Sequence, residues 1–570
     1  MEANHSQPAT RRSSLLVPSW LRDYRRGWLR PDVIAGLTAA AVVIPQALAY
    51  AAVAGLPVQV GLYTAFLPMV VYAWLGTSRP LSVSTTATLA ILTGAALERV
   101  APQGDPAPVL AALPTLTLLV GAVLVAAATL RLGFVANFIS DPVLTGFKAG
   151  IGVVILLNQL PKLLGIHIAK GSFLHNLGAI WTGLPQTSIT TLTVGAVTIG
   201  LLVAMQHLWP RVPAPLIVLA AAIAAVNPLA LPLHGVETVG HIPTGLPSLT
   251  MPDSSYIPHL WPAAMAIALM SFTETVAAGR AFVAEDEPAP TTNRELLATG
   301  LANAIGALLG AMPAGGGTTQ TTVNRVAGAR TQLAALVTAA VTLGTMLLLA
   351  PFIGGMPQAT LAAIVMVFAV GLIRPTEFRA IRHIRSTELV WALTAMAGVV
   401  LLGTLQGIVV AICVSLLALA HQESNPPIYV LRRKPGTNVF RPVSTEHPQD
   451  ESFPGLLLLR TEARIFFANA EALGQKANAL IAAAAPRVVV LDMSAVFDIE
   501  YTALKMLVAA EKRIRDEGRV LCLTGLNPRV LEVVRRSPLA AALGRERMLF
   551  DLEQAVASFR SIAGGEPTRE

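Results

Sequence analysis

Residues 313–322 read PAGGGTTQTT, and residues 81–88 read LSVSTTAT. Both stretches are small, hydroxyl-rich and uncharged, and each opens a short apolar segment. Outward from them, residues 33–420 are a near-continuous hydrophobic run interrupted by turns. Basic side chains gather at every second interruption: Arg79, Arg131, Arg211, Arg280, Arg325, and the cluster Arg374, Arg379, Arg382 and Arg385. The breaks at 54–58, 313–317, 351–357 and 403–407 hold no ionisable residue. An excess of Arg and Lys marks the cytoplasmic side, so the alternation predicts a topology. It is that of a multi-pass protein of the cell (inner) membrane with both termini in the cytoplasm.

A hydrocarbon core near 30 Å takes roughly 20 helical residues, fewer where a helix is buried in protein. The predicted spans are 33–53, 58–75, 84–97, 108–130, 142–160, 189–208 and 213–228, then 260–279, 295–311, 319–327, 332–350, 358–373, 387–403 and 406–421. The two hydroxyl-rich stretches open the third and tenth of these fourteen, the third place in each half of a seven-plus-seven division. An odd number of spans per half inverts the second half. Interrupted helices at matching places in inverted halves point to a transporter's binding site.

With 54% hydrophobic and 13% charged residues, the chain is not an ordinary soluble enzyme. Its net charge of +8 comes with no basic face or aromatic ladder, so no nucleic-acid partner is expected. Cys413 and Cys522 lie far apart, which gives neither a disulfide framework nor a zinc site. No metal or other cofactor is expected. PSWLRDYRRGWLR (18–30) spaces Trp20, Tyr24 and Trp28 by four, with Arg22, Arg25, Arg26 and Arg30 between them. This predicts an amphipathic helix on the bilayer surface within an N-terminal segment 1–31. The membrane domain spans 32–421. Residues 422–452, rich in Pro, Arg and acids, read as a linker. In 453–563, GLLLLR (455–460), ARIFFAN (463–469), RVVVLDMS (487–494) and RVLCLTG (519–525) read as strands, alternating with helices near 470–484, 501–517 and 527–536. That pattern is a small α/β domain, placed in the cytoplasm.

IPQALAYAAVAGLP (44–57), VGLYTAFLPMVVYAWLGTSRPLSVS (60–84) and NRELLATGLANAIGALLGAMPAGGGTTQTTVNRVAGART (293–331) resemble the sulfate permease (SulP) family of anion transporters. VVVLDMSAVFDIEYTAL (488–504) is similar to the STAS domain that such transporters carry. The resemblance implies an inverted repeat with core and gate subdomains, a homodimer, and an elevator-like movement of core against gate. It also implies an anion site between the facing ends of spans three and ten. Gln46 and Tyr50 would line it from span one, and Ser84, Thr85 and Thr86 from span three. Gly317, Thr318, Thr319 and Gln320 would line it from span ten. Many relatives have Arg at the place of Gln320, so their chloride or exchange behaviour does not transfer directly. In soluble STAS proteins a phosphorylatable Ser follows an Asp; Glu500 and Tyr501 stand there in this chain.

The residues support an anion site without the resemblance. A helix start has unpaired N–H groups and roughly half a positive charge, so two starts aimed at one point offer about one unit. Gly315, Gly316, Gly317 and Ser84 allow close backbone approach, and Ser and Thr hydroxyls bind oxyanion oxygens. Close packing of helices is the plainer use of such residues.

Glu274, in AMAIALMSFTETVAAG (264–279), is the carboxylate deep in an apolar span, whereas Asp141 and Glu295 sit near segment starts. A charge at the bilayer centre costs about 2.5–3.5 kcal/mol on insertion scales. Protonating an ordinary Glu at pH 7 costs roughly 3.7 kcal/mol. The near balance suits a group that changes protonation, and a proton on Glu274 would offset the charge of a divalent anion. A structural Glu bonded to Ser271, Thr273 or Thr275 is the alternative. Arg280, six residues on, faces elsewhere and reads as an edge anchor; Asn324 and Arg325 suit an inner gate or simple packing.

The sequence therefore predicts proton-coupled uptake of sulfate or a C4-dicarboxylate such as fumarate or succinate. A sodium-coupled bicarbonate symporter, with Glu274, Thr273 and Thr318 as cation ligands, is the alternative, followed by an uncoupled channel or exchanger and a flux-free scaffold. No nucleophile–base pair, Walker sequence or metal-ligand spacing suggests an enzyme.

Overall fold

The computed structural model describes residues 18–563 apart from 23, 101–105, 135–139, 169–170, 210–211, 227, 230, 241, 243–244 and 284–286. The chain forms two compact units that meet at Leu416–Leu417.

The first unit is helical: α1 (Ser19–Arg22), α2 (Leu29–Val53), α3 (Val58–Leu75), α4 (Ala87–Glu98), α5 (Pro106–Thr129), α6 (Asp141–Leu164), α7 (Phe173–Gly183), α8 (Ile189–Leu208) and α9 (Ala214–Val226). The second half supplies α10 (Ile257–Ala281), α11 (Thr292–Ala307), α12 (Thr318–Val326), α13 (Leu333–Gly344), α14 (Ala350–Gly354), α15 (Gln358–Val370), α16 (Pro375–Ile384), α17 (Ser386–Leu402) and α18 (Thr404–Ser424). Two-residue strands precede the short helices, β1 (Val83–Ser84) before α4 and β2 (Gly315–Gly316) before α12. Among the described residues, nine helices are long and apolar enough to cross a membrane. A helix occupies each of the fourteen predicted segments.

Lipid tails are as apolar as Leu, so close backbone packing rather than hydrophobic contrast draws such helices together. A Cβ at Gly61 would fall 1.9 Å from the Ala47 carbonyl oxygen, and one at Gly146 equally near that of Ala392. Those glycines set the α2–α3 and α6–α17 crossings. Two bundles result: a core of α2–α5 with α10–α13, and a gate of α6, α8, α9, α15 and α17. Pro351 has no N–H to give the preceding turn, and the helix widens to a π turn over Thr345–Leu349 between α13 and α14.

Three features differ from expectation. Residues 18–30 do not form one amphipathic helix: α1 is four residues long, and a 3-10 turn at Arg26–Trp28 leads into α2. The aromatic face packs on protein instead, because Trp20 is buried and its Nε1 donates to the Ala73 carbonyl at 2.7 Å. The Arg25 and Arg79 guanidiniums lie 5.6 Å from the Trp28 ring centre. Secondly, α7 and α16 are additional helices, the second amphipathic with its arginines exposed.

The third difference concerns residues 422–452, read as a linker. They carry β3 (Ile428–Arg433) and β4 (Phe440–Pro442) of the second unit's sheet. With β5 (Leu456–Thr461), β6 (Val488–Asp492), β7 (Val520–Thr524) and β8 (Met548–Leu549) the order is β4-β3-β5-β6-β7-β8. β3 is antiparallel to both neighbours, and the rest are parallel. Alternation along β5 and β6 sends Leu457, Leu459, Val489 and Leu491 to one face. α19 (Ala470–Ala484), α20 (Tyr501–Asp516), α21 (Pro528–Arg535) and α22 (Pro538–Leu543) cover that face. Leu458 and Val490 point to α23 (Leu552–Ala563) on the other. ARIFFAN is not a strand: Ile465 makes a single bridge to Ile499, and Asn469 ties the following turn by accepting from Phe466 N at 2.9 Å.

Candidate functional site

β1 and β2 pair antiparallel, Val83 with Gly316 and Ser84 with Gly315, and Gly317 N extends the ladder to Ser82 O at 3.0 Å. α4 begins three residues beyond Ser84 and α12 two beyond Gly316, so both helix starts abut one ladder. Glycine is required there. A Cβ on Gly316 would lie 2.7 Å from Thr275 Cα, and one on Gly315 3.0 Å from Ser271 Oγ. Ser271 Oγ donates to Ala314 O at 2.7 Å, and Thr275 Oγ1 accepts from Gly316 N at 2.9 Å, fixing the ladder on α10. Asn303 holds it from α11 by bonding both the N–H and the carbonyl of Ala314.

Gln320 is the hub of the predicted set. Its Oε1 accepts from Ser84 Oγ at 2.9 Å and Ser82 Oγ at 3.2 Å, and its Nε2 donates to Gln46 Oε1 at 3.4 Å. Ser82 was missed in the sequence, where its partner lies 238 positions away. Thr85 is fully buried with no partner for its hydroxyl among the described residues. Tyr50 is buried with its ring 6.3 Å from Phe368 of α15, where core meets gate. Thr318 and Thr319 are exposed in the first turn of α12. Gly317 caps that turn without a side chain, so its leading N–H groups have no protein acceptor within the helix.

The start of α4 differs. The Thr86 hydroxyl accepts from Leu89 N at 3.3 Å and donates to Glu274 Oε2 at 2.7 Å. Glu274 is 7% exposed, so it is turned into the protein and bonded to the cap of a broken helix. Thr273 and Thr275 each donate to their own helix's carbonyls, and Ser271 to Ala314 O. Glu274 therefore does not take the structural partners considered for it.

One charge was overlooked. Half-buried Lys148 on α6 acts electrostatically on Glu274. Its sequence signal is a lone Lys inside the apolar segment 142–160, away from the breaks where the other basic residues gather. The other acids hold the core together. Glu295 accepts from Thr77 N at 2.8 Å and from the Tyr72 and Thr77 hydroxyls. Asp32 accepts from Arg330 N at 2.6 Å and from Thr331 Oγ1 at 2.6 Å. Arg325 pairs with Glu287 at 2.9 and 3.0 Å, and Asn324 donates to Pro80 O at 3.2 Å. Both contacts stay within the core, so neither bridges to the gate. Arg280 reaches Thr292 Oγ1 at 3.3 Å, beside the end of its own helix.

Residues 29–397 match the sulfate permease family model. The chain belongs to the sulfate permease family. Residues 447–554 match the STAS domain. A probable sulfate transporter of Mycobacterium tuberculosis is 34% identical over 95% of this chain and 97% of its own length. The murine solute carrier 26 family member A9 anion transporter in the inward-facing state superposes with TM-score 0.87 at 22% identity, over 98% of this chain and 97% of that one. The transmembrane domain of the cyanobacterial bicarbonate transporter BicA gives TM-score 0.60 at 24% identity, over 69% of this chain and 98% of that one. The sulfate permease chain is thus a multi-pass membrane anion transporter, built as an inverted repeat with a STAS domain, and not an enzyme. In that domain Tyr501 is exposed, and Glu500 pairs with Arg464. Asp492 holds Ser494 N at 3.0 Å and Arg460 at 2.7 Å, a structural role.

Proposed function

We propose that the chain imports a divalent oxyanion, sulfate or a C4-dicarboxylate, together with a proton carried on Glu274. Gln46, Tyr50, Ser84, Thr85, Thr86, Gly317, Thr318, Thr319 and Gln320 form the anion site. The observation that carries the reading is the shared Thr86 hydroxyl, which seats an acid against the start of α4. Because α4 is capped and α12 is not, the anion rests nearer the free N–H groups of α12. Lys148 enters the charge count of the site. A divalent anion and ionised Glu274 bring three negative charges against one from Lys148 and about one from the two helix ends. About one negative charge remains, and a proton on Glu274 cancels it.

The core carries this site against the gate in an elevator-like step, with Tyr50 and Phe368 on the sliding surface. Small aromatic contact at that seam suits movement better than interlocking charges. The protein works as a homodimer in the cell membrane with both termini cytoplasmic, and the STAS domain serves regulation or assembly.

The same count favours a second reading. A monovalent anion and ionised Glu274, set against Lys148 and the two helix ends, sum to about zero without a proton, which suits bicarbonate. Proteoliposome uptake under imposed proton and sodium gradients decides. Sulfate or succinate accumulation driven by protons supports the first reading, and sodium-driven bicarbonate accumulation replaces it.

A further inference from the structure

A partly polar cavity of about 240 Å³ lies away from the β1–β2 ladder. Its core wall is the turn from α2 into α3, with Gly55, Pro57 and Val58; its gate wall is Gln159 and Lys162 of α6 and Gln358 of α15. Three features suit an anion. Val58 opens α3 and Gln358 opens α15, so two helix starts border the space, although the Gln358 N–H already donates to Glu237 O at 2.9 Å. Lys162 is the one ionisable residue among the described residues of the lining, and it brings a positive charge. Gln159 is 4% exposed, faces the cavity, and makes no hydrogen bond among the described residues. Its amide opens onto the cavity, where an oxyanion oxygen can accept from the N–H group. The space far exceeds the roughly 30 Å³ a water takes in the liquid. The break at 54–58 lines it and Gln358 directly follows the break at 351–357; both breaks belong to the charge-free set that the arginine pattern assigns to the outer face.

We propose that this cavity is an outer vestibular site that binds a small oxyanion between core and gate before it reaches the deeper site. Since each bundle supplies half of the lining, moving the core along the gate dismantles it, so occupancy and core position are linked. The proposal rests on anion transport and on the outer placement of these turns, and not on Glu274.

The test uses the full chain in proteoliposomes with Cys413→Ser, Cys522→Ser and Ala52→Cys, since half-buried Ala52 lines the cavity. A membrane-impermeant methanethiosulfonate is applied from outside, with sulfate, fumarate or bicarbonate as the protecting anion. One of these slows labelling; adding Gln159→Leu raises the half-protecting concentration about tenfold, as expected for one hydrogen bond to an anion. Gln159→Glu, equal in size but negatively charged, abolishes protection, and Ser84→Ala leaves it unchanged. Protection lost with Ser84→Ala and kept with both Gln159 variants assigns the anion to the deep site and overturns the proposal. Absence of protection by all three anions overturns it as well. Retained protection with no proton-driven uptake leaves this site standing and removes the Glu274 reading instead.

Discussion

Replacing Glu274 with Gln separates charge from shape at the coupling position. The Gln carbonyl keeps an acceptor for Thr86 Oγ1, now 2.7 Å from Glu274 Oε2, and Thr86 goes on capping α4 through Leu89 N. A hydrogen bond to a charged group contributes about 1.5–3 kcal/mol and a neutral one about 0.5–1.5. The loss is therefore near 1 kcal/mol, and the relief of burying no charge offsets it. The fold should survive with a melting temperature within a few degrees of wild type. Transport should change in kind. In the variant a divalent anion, Lys148 and the two helix ends sum to about zero without a proton. Wild-type accumulation should rise tenfold for each pH unit of inward proton gradient at one proton per anion, each unit being worth about 1.36 kcal/mol. Glu274→Gln should still exchange labelled sulfate or succinate while showing no response to the gradient. A variant that kept the tenfold-per-unit response would refute the assignment of the proton to Glu274.

Further outcomes follow from the same geometry. Gln320→Ala removes three side-chain contacts, and anion affinity should fall at least tenfold, about 1.4 kcal/mol, in a binding titration. Gln320→Arg adds a second cation and should weaken the proton dependence of divalent uptake while speeding monovalent flux. Gly316→Ala forces a methyl against Thr275 Cα, and overpacking of that kind costs about 1–3 kcal/mol; thermal melting of the purified protein should drop accordingly. In the STAS domain, the Arg441 guanidinium beside Asp450 holds that carboxyl below its ordinary value. A lowered folded-state value gives stability that is present above the unfolded value, near 3.9, and lost as pH falls through the folded one. Asp450→Asn should melt lower than wild type at pH 7, and the gap should close below about pH 4.

Long apolar periodicity made the helices readable, because every backbone group in lipid must bond within its own helix. Helices that combine short length with polarity were not: FLHNLGAIWTG of α7 lacks a continuous apolar stretch, and PTEFRAIRHI of α16 looked only like a basic break. The strand IYVLRR (428–433) was hidden by the charged composition around it, and its register with Tyr429 opposite Arg460 depends on residues far along the chain. Trp20 was assigned to the bilayer surface because helical spacing shows which side chains share a face, not what that face meets. At the site, the chemistry of hydroxyl, glycine and amide was visible in two short stretches. The pairing of Ser82 and Ser84 with Gln320, and the reach of Lys148 from another bundle, are products of topology.

The Val83–Gly316 and Ser84–Gly315 ladder has a bearing on origins. A half-length ancestor inserted alone would leave that extended edge, with its N–H and C=O groups, unmatched in mid-bilayer, at several kcal/mol for each group. A second copy inserted upside down offers the complementary edge. Duplication and fusion in opposite senses then join what neither ancestor could complete, and chains cut between α9 and α10 should assemble only when both fragments are made together.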